Sequence, residues 1–328
     1  KVIEEDSSIK NVLRFFKTFS GYLKNNSNKA TEDNKSSVLC CYLSLYPEKS
    51  QRYEFSKIKT LKIMKYNSKN WQRTPISYYG GKQTMLPYIL PLVPPHKVYT
   101  EAFFGGGAVF WTKEKAKVEI INDFNANVYT FYKVLQSDFS ALKVLIEQSV
   151  VSKDAYKSAL VIYHTPFIFS DIHRAWAFWY ATNCGFSCQV GNCRITTDGK
   201  NAICLHNKID NFKESYSERL RGVQIENNDA CEVISLRDTP DTFHYVDPPY
   251  VGAKQGHYGG YEQSHFNELL ATLAKVKGKF LLSSYHNEEL SKYVEQYGWY
   301  QKEITMHLSS SNAVGKNRLE VLTANYPI

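Results

Sequence analysis

At 328 residues, with 43% hydrophobic and 14% aromatic content, the chain can bury a sizeable core, which excludes a small cross-linked module and a wholly disordered chain. It has no apolar run of the roughly 18 residues that a membrane-spanning helix needs, and its seven scattered cysteines argue against a disulfide framework and for a reducing, cytoplasmic setting. The net charge of +8 is carried by the N-terminus, where residues 1–73 hold 15 Lys and Arg against 7 Asp and Glu; the remainder holds 25 against 25, so the body must attract a polyanion through local surpluses such as 151–225, with 9 against 6.

Residues 1–63 alternate short apolar pieces with polar clusters such as Asn25 to Lys29 and show no sustained period, so they read as an N-terminal extension. From Val98 onward strands and helices alternate. Val98 to Ala102 is a strand running into Gly105-Gly106-Gly107, and Val118 to Ile121 is a second strand ending at Asn122-Asp123. Val128, Phe131, Tyr132 and Leu135 recur at helical spacing. The stretch 150–240, rich in Asn, Cys, Ser and basic residues, breaks the rhythm and reads as an inserted smaller domain. A strand (Phe243 to Val246), a helix marked by Phe266, Leu269, Leu270 and Leu273, and a strand (Phe280 to Ser283) follow. A helix marked by Leu290, Tyr293, Val294 and Tyr297 and a closing strand from Arg318 to Ala324 complete the set. This alternation predicts an α/β fold with a mainly parallel sheet covered on both faces and sites at the strand C-termini. The expected parts are an extension (1–63), a first core part (64–149), the insertion (150–240) and a second core part (241–328).

Two constellations carry chemistry. In Glu101 to Ala108 a strand meets a helix through Phe104, Gly105, Gly106 and Gly107, where glycines allow the backbone to approach a ligand or simply to turn tightly. Asp123, 18 residues after Gly105 at the end of the next strand, has the spacing of an acid that accepts hydrogen bonds from a ribose diol. The alternative for Asp123 is an N-cap of the following helix, a role also open to Asn122 or Asn125. The second constellation is Asp247-Pro248-Pro249-Tyr250 after an apolar strand. Its prolines remove two donors and leave carbonyls that only accept, so Asp247 and Pro248 are suited to receive one NH₂ group while Tyr250 offers a flat face to a base. Acceptors off the base plane favour a pyramidal nitrogen and stabilise charge that develops as a methyl group arrives. A plain strand stop at Pro-Pro is the alternative.

Ile76 to Lys82, the glycine turn at Phe104 to Ala108, Ile121 to Asn125 and Asp247 to Tyr250 resemble, in this order, DNA adenine methyltransferases of the Dam type. The similarity runs from about Thr74 to the C-terminus and includes the closing segment Glu320 to Tyr326. The resemblance implies a Rossmann-like S-adenosylmethionine-dependent methyltransferase fold with an inserted, mainly helical DNA-recognition domain, S-adenosylmethionine as methyl donor, and double-stranded DNA as partner without an obligate protein partner. Carried over by motif, the expected cofactor contacts are Tyr78, Lys82, Phe104, Gly105, Gly107, Asp123 and Asp247, and the catalytic group is Asp247, Pro248 and Tyr250. Tyr78 stands where many relatives carry Trp and Ala102 where Pro is usual, while Asn183 to His206 departs furthest from the family's recognition segment.

The expected chemistry is extrusion of adenine from the duplex against Asp247 to Tyr250, followed by direct transfer of a methyl group to N6, with no metal and no covalent enzyme intermediate. The loop Gly256 to Tyr261 is expected to close over the base or its neighbours. Cys184, Cys188, Cys193, Cys204 and His206 lack the two close cysteine pairs of a zinc site and are read as free thiols with a nearby histidine. Competing readings are methylation of cytosine N4, RNA adenine or a glutamine amide, with Asp247 a point against the last, and a DNA-binding relative without catalysis.

Overall fold

The computed structural model describes residues 71–186, 190–191, 193, 198–251, 260–307 and 317–328. The N-terminal extension lies outside these residues, as do Cys188 and Gly256 to Gly259. Seven strands form one sheet in the order β3-β2-β1-β4-β5-β7-β6. β1 (Val98–Glu101), β2 (Val118–Asn122), β3 (Gln224–Glu226), β4 (Thr242–Val246) and β5 (Lys279–Ser284) run parallel. β6 (Tyr300–His307) and β7 (Asn317–Ala324) complete the sheet, with β7 antiparallel to both β5 and β6. Every position of β4, the Thr-Phe-His-Tyr-Val run, is buried, as required of a strand covered on both faces.

The chain winds outward through β1, β2 and β3, then returns to the other side of β1 for β4 and β5. The strand order therefore reverses between β1 and β4, and a crevice opens beyond their C-terminal ends. Two short helices, α1 (Leu86–Ile89) and α2 (Ala108–Thr112), flank the first strand. α3 (Ala126–Ser137) starts where the Asn125 side chain accepts the Asn127 N–H, and its periodic residues Val128, Phe131, Tyr132 and Leu135 are buried.

Five helices follow: α4 (Phe139–Glu147), α5 (Lys153–His164), α6 (Asp171–Cys184), α7 (Lys200–Asp210) and α8 (Ser215–Leu220). They do not build a core of their own. Tyr156 of α5 and Phe178 and Trp179 of α6 lie in the same apolar cluster as Tyr99 of β1 and Phe131 of α3. The stretch 150–240 also contains β3, which pairs with β2, and α9 (Ala230–Arg237), which packs on α10 (Gln263–Leu273). The expected insertion of 150–240 thus comprises most of a helical layer that begins at α4, one strand of the sheet and one helix that packs beside it.

α10 buries Phe266, Leu269, Leu270 and Leu273. α11 (Glu288–Tyr297) buries Leu290, while Tyr293 and Tyr297 stack 5.7 Å apart beside Trp299. No helix among the described residues is long and apolar enough to cross a membrane.

A buried charge cluster ties the helical layer to the sheet. Glu119 of β2 bonds both Arg219 of α8 and Lys113, and Arg219 also donates to the Phe110 carbonyl at 3.0 Å. Burial works to raise the Glu119 carboxyl, but Arg219 and Lys113 hold it below its ordinary value. Removing the one acid leaves two cations enclosed without it, so Glu119→Gln should cost about 3 kcal/mol or more. Denaturant unfolding measures this; a loss under about 0.5 kcal/mol would mean that the cluster does not fasten the two layers.

Candidate active site

β1 leads into the glycine turn, and its geometry explains the residues. Gly105 and Gly107 adopt positive φ, +46° and +66°. A Cβ at Gly107 would sink into the ring of Phe104, and one at Gly106 would stand 3.3 Å from the Tyr78 Cβ. Phe104 itself is buried, edge-on to Phe110 at 5.4 Å and to Tyr132 at 4.7 Å. The aromatic side chain that faces the crevice is its neighbour Phe103.

Asp123 locks this turn to the end of β2. Its Oδ2 accepts the Gly105 N–H at 2.7 Å and its Oδ1 the Asn125 N–H at 2.9 Å. The N-cap of α3 is Asn125, which leaves the Asp123 carboxylate beside the turn instead of over the helix. Burial pushes the Asp123 carboxyl up to about 6 against the opposing pull of those two N–H groups. Each oxygen retains acceptor capacity toward the crevice.

At the end of β4, Asp247 meets Lys82, whose Nζ lies 2.8 Å from Oδ1. The same ammonium donates to the Gly80 carbonyl at 3.1 Å and stands 4.7 Å from the ring centre of Tyr250. Burial raises the Asp247 carboxyl, and Lys82 counteracts it. The Tyr250 hydroxyl donates to Oε2 of Glu320 at 2.7 Å, and its ring meets Tyr285 edge-on at 4.4 Å. Below the loop, Glu101 accepts from the Tyr99 hydroxyl at 2.6 Å; burial pushes its carboxyl up to about 8, so it is mainly protonated at neutral pH.

Tyr78 and Lys82 are carried by a segment strapped to the helical layer. Tyr216 donates to the Arg73 carbonyl at 2.8 Å and Trp179 to the Pro75 carbonyl at 3.1 Å. Asn183 accepts from both the N–H and the hydroxyl of Ser77, and Lys208 donates to that hydroxyl at 2.6 Å.

A cavity of about 570 Å³ occupies the crevice, lined by Phe103, Asp123, Phe124, Asp229 and Asp247 among others. A second space of about 20 Å³ lies beside Tyr250 and Tyr285, room for one water. Pro249 borders both, so the Asp247–Tyr250 loop is the wall between them.

Asp123 and Asp247 therefore converge on one cavity, and Lys82 reaches it through Asp247; Tyr78 backs the glycine turn, and Pro248 lines the smaller space beside Tyr250. Of the expected closing loop, Gly260 and Tyr261 are described, and both line the cavity. Sequence reasoning missed Phe124 and Asp229, which also line it, and Glu320, noticed only as part of the closing segment. Phe124 is 79% exposed, and this unusual exposure of a large aromatic beside a predicted acid is visible only in three dimensions. Among the cysteines, Cys184 is partly buried and its thiol is pushed up to about 12 by burial and by Cys193.

Comparison with known proteins adds a second line. The family model described as D12 class N6 adenine-specific DNA methyltransferase matches residues 78–308. The chain is 30% identical over 188 residues to a DNA N-6-adenine-methyltransferase of Escherichia phage P1, covering 55% of this chain and 24% of that protein. It is 24% identical over 319 residues to the modification methylase StsI of Streptococcus sanguinis, covering 84% of this chain and 47% of that one. It is 23% identical over 269 residues to a DNA adenine methylase of Vibrio cholerae, covering 77% of this chain and 95% of the relative. The chain thus spans less than half the length of the first two.

The turn yields a prediction of its own. Gly107→Ala must hold a left-handed conformation, at about 1–2 kcal/mol, and press on Phe104, at about 1–3 kcal/mol more. A drop in the urea midpoint equivalent to about 2–5 kcal/mol is expected, and an unchanged midpoint would show that the turn relaxes freely.

Proposed function

Because the chain belongs to the D12 class N6 adenine-specific DNA methyltransferase family, we propose that it transfers a methyl group from S-adenosylmethionine to the N6 amine of adenine in double-stranded DNA. The observation that carries this reading is the convergence of Asp123 and Asp247, from the ends of β2 and β4, on one cavity at the reversal of strand order. The seven-stranded mixed sheet fits a methyltransferase fold.

The residues fit the proposed cofactor. A volume of about 570 Å³ lies within the range of small-molecule sites, about 300–1,000 Å³. Asp123 presents a pre-positioned acceptor for a ribose diol, and the exposed ring of Phe124 beside it offers a face to a purine. S-adenosylmethionine, when bound, supplies a methyl group on a positively charged sulfur. Asp247 sits where the loop wall separates this cavity from the space at Tyr250. With Lys82 holding it ionised, the Asp247 carboxylate accepts from the target amine together with the Pro248 carbonyl. As the N–C bond formed and the methyl–sulfur bond broke to leave a neutral thioether, these acceptors would stabilise the positive charge growing on nitrogen, and a proton would then leave N6 for solvent. Tyr250 stacks on the extruded ring. The space beside it is too small for a base as it stands, so the ring is admitted only as Tyr285 or the loop shifts. Sequence choice falls to the helical layer through contacts to bases.

Cofactor affinity should depend on pH through Asp123. Ribose hydroxyls donate to the carboxylate form, so binding favours loss of its proton; affinity should rise through pH about 6 and level off above about 7, with up to about tenfold weaker binding at pH 5. Calorimetric titration of wild type and Asp123→Asn decides this, since the variant should bind weakly with little slope. An equal slope in both would assign the titration elsewhere.

Asp247 and Tyr250 should fail differently. Asp247→Ala removes an acceptor matched to transition-state charge and should cut turnover by about 10²-fold or more. Tyr250→Ala removes a stacking face worth about 1–3 kcal/mol. A duplex with the target adenine opposite a mismatched base lowers the cost of extrusion and should rescue Tyr250→Ala but not Asp247→Ala. Equal rescue of both variants would falsify the assignment of ring and amine to separate residues.

A further inference from the structure

We propose that Glu320 of β7 is a positioning residue that fixes the Tyr250 ring in the orientation that receives the extruded base; this rests on the adenine-methylating reading above. The two residues come from opposite parts of the site, the loop after β4 and the closing antiparallel strand. Their contact, Tyr250 Oη to Glu320 Oε2 at 2.7 Å, has the length of a charge-assisted hydrogen bond.

Glu320 is delivered by a rigid element. Its Cα is in register with Ile304 of β6, and the next residue, Val321, is in register with Ser284 of β5, so backbone ladders hold β7 on both sides. The carboxylate is only 5% exposed. An acid buried at a strand centre is costly without a role or a donor, and here the phenol supplies the donor. Burial and the neighbouring carboxylates of Asp247 and Glu320 push the Tyr250 phenol up, which keeps the proton on the tyrosine as a donor.

Lys82, Tyr285 and Glu320 touch Tyr250 along with Asp247, which also interacts with its hydroxyl, and they constrain it unequally. Lys82 stands 4.7 Å from the ring centre and Tyr285 meets it edge-on, contacts that tolerate tilt. The hydrogen bond to Glu320 acts at the far end of the ring and limits its swing, leaving the ring face to be set by Lys82 and Tyr285. A tyrosine held in advance loses less freedom when a base stacks on it, which is worth about 3- to 10-fold in the stacked population.

The test uses the full chain and a duplex that the wild type methylates, with 2-aminopurine in place of the target adenine to report extrusion. Wild type, Glu320→Ala, Glu320→Gln, Tyr250→Phe, Tyr250→Ala and the double variant Glu320→Ala/Tyr250→Phe are compared by fluorescence, by methyl incorporation into adenine duplexes and by thermal unfolding. Glu320→Ala and Tyr250→Phe should each reduce the extruded population by about 3- to 10-fold, and the double variant should match the singles because both remove the same bond. Glu320→Gln keeps an acceptor and should fall closer to wild type. A mismatch at the target should offset the loss in all of them.

Multiplicative losses in the double variant, or thermal destabilisation by Glu320→Ala with undiminished fluorescence, would overturn the inference and leave the parent reading standing. Absence of methylated adenine with wild type, or full activity in Tyr250→Ala, would remove the parent reading and this inference with it.

Discussion

The ion pair between Lys82 and Asp247 joins the two segments on which the site is built, the strap before α1 and the loop after β4. Asp247 lies where burial and the charge of Glu320 both raise its carboxyl, and a proton there would turn an acceptor into a donor. The ammonium opposes that change. It also stands over the Tyr250 ring and is anchored to the Gly80 carbonyl, so one cation is in contact with the acid, the aromatic and the backbone of its own turn. Lys82 cannot then be regarded only as a cofactor contact, as the motif comparison implies. A cofactor contact by Lys82 would be coupled to its hold on Asp247 through a single nitrogen.

The strap that carries Lys82 is held mainly by the helical layer. Arg73, Pro75 and Ser77 are bonded by Tyr216, Trp179, Asn183 and Lys208, all from residues between 171 and 216. Tyr78, next in the chain, presses against the position where Gly106 lacks a Cβ. The layer assigned to target choice and the turn assigned to the cofactor thus share a covalent segment. This explains why the helices form no separate core: Phe178 and Trp179 have to pack against the sheet to place Asn183 beside Ser77.

The elements that could be read from sequence are those whose residues are buried by one dominant rule. β1, β2, β4 and β5 are apolar runs, and α3 and α10 keep helical spacing, because each lies in the interior of the layered fold. β3 was not predicted because it has three residues, none of them fully buried. β6 was missed for a different reason. It is an edge strand whose Gln301, Lys302 and Glu303 look like surface loop, as residues that discourage further pairing do. In the site, the spacing of Gly105 and Asp123 is legible since a direct bond joins them. Phe103 and Phe104 are indistinguishable in sequence, and only the turn decides which ring enters the core. Glu320 was visible as a motif letter but not as a partner of Tyr250, because no local spacing links β7 to the loop after β4.

Charge bears on how the helical layer can meet DNA. The segment 151–225 has 9 Lys and Arg against 6 acids, but Arg219 is enclosed with Glu119 beneath the surface, and Arg174 bonds Asp171 within its own helix. Little uncompensated positive charge is left there to neutralise phosphates, and the sequence-independent attraction from this layer should be small. The excess of 15 against 7 lies in residues 1–73. On the proposed assignment of target choice to the helical layer, that nearly neutral layer has to rely on directional contacts to bases. Such a layer gains little from phosphates at a wrong site, which favours discrimination over residence on arbitrary DNA.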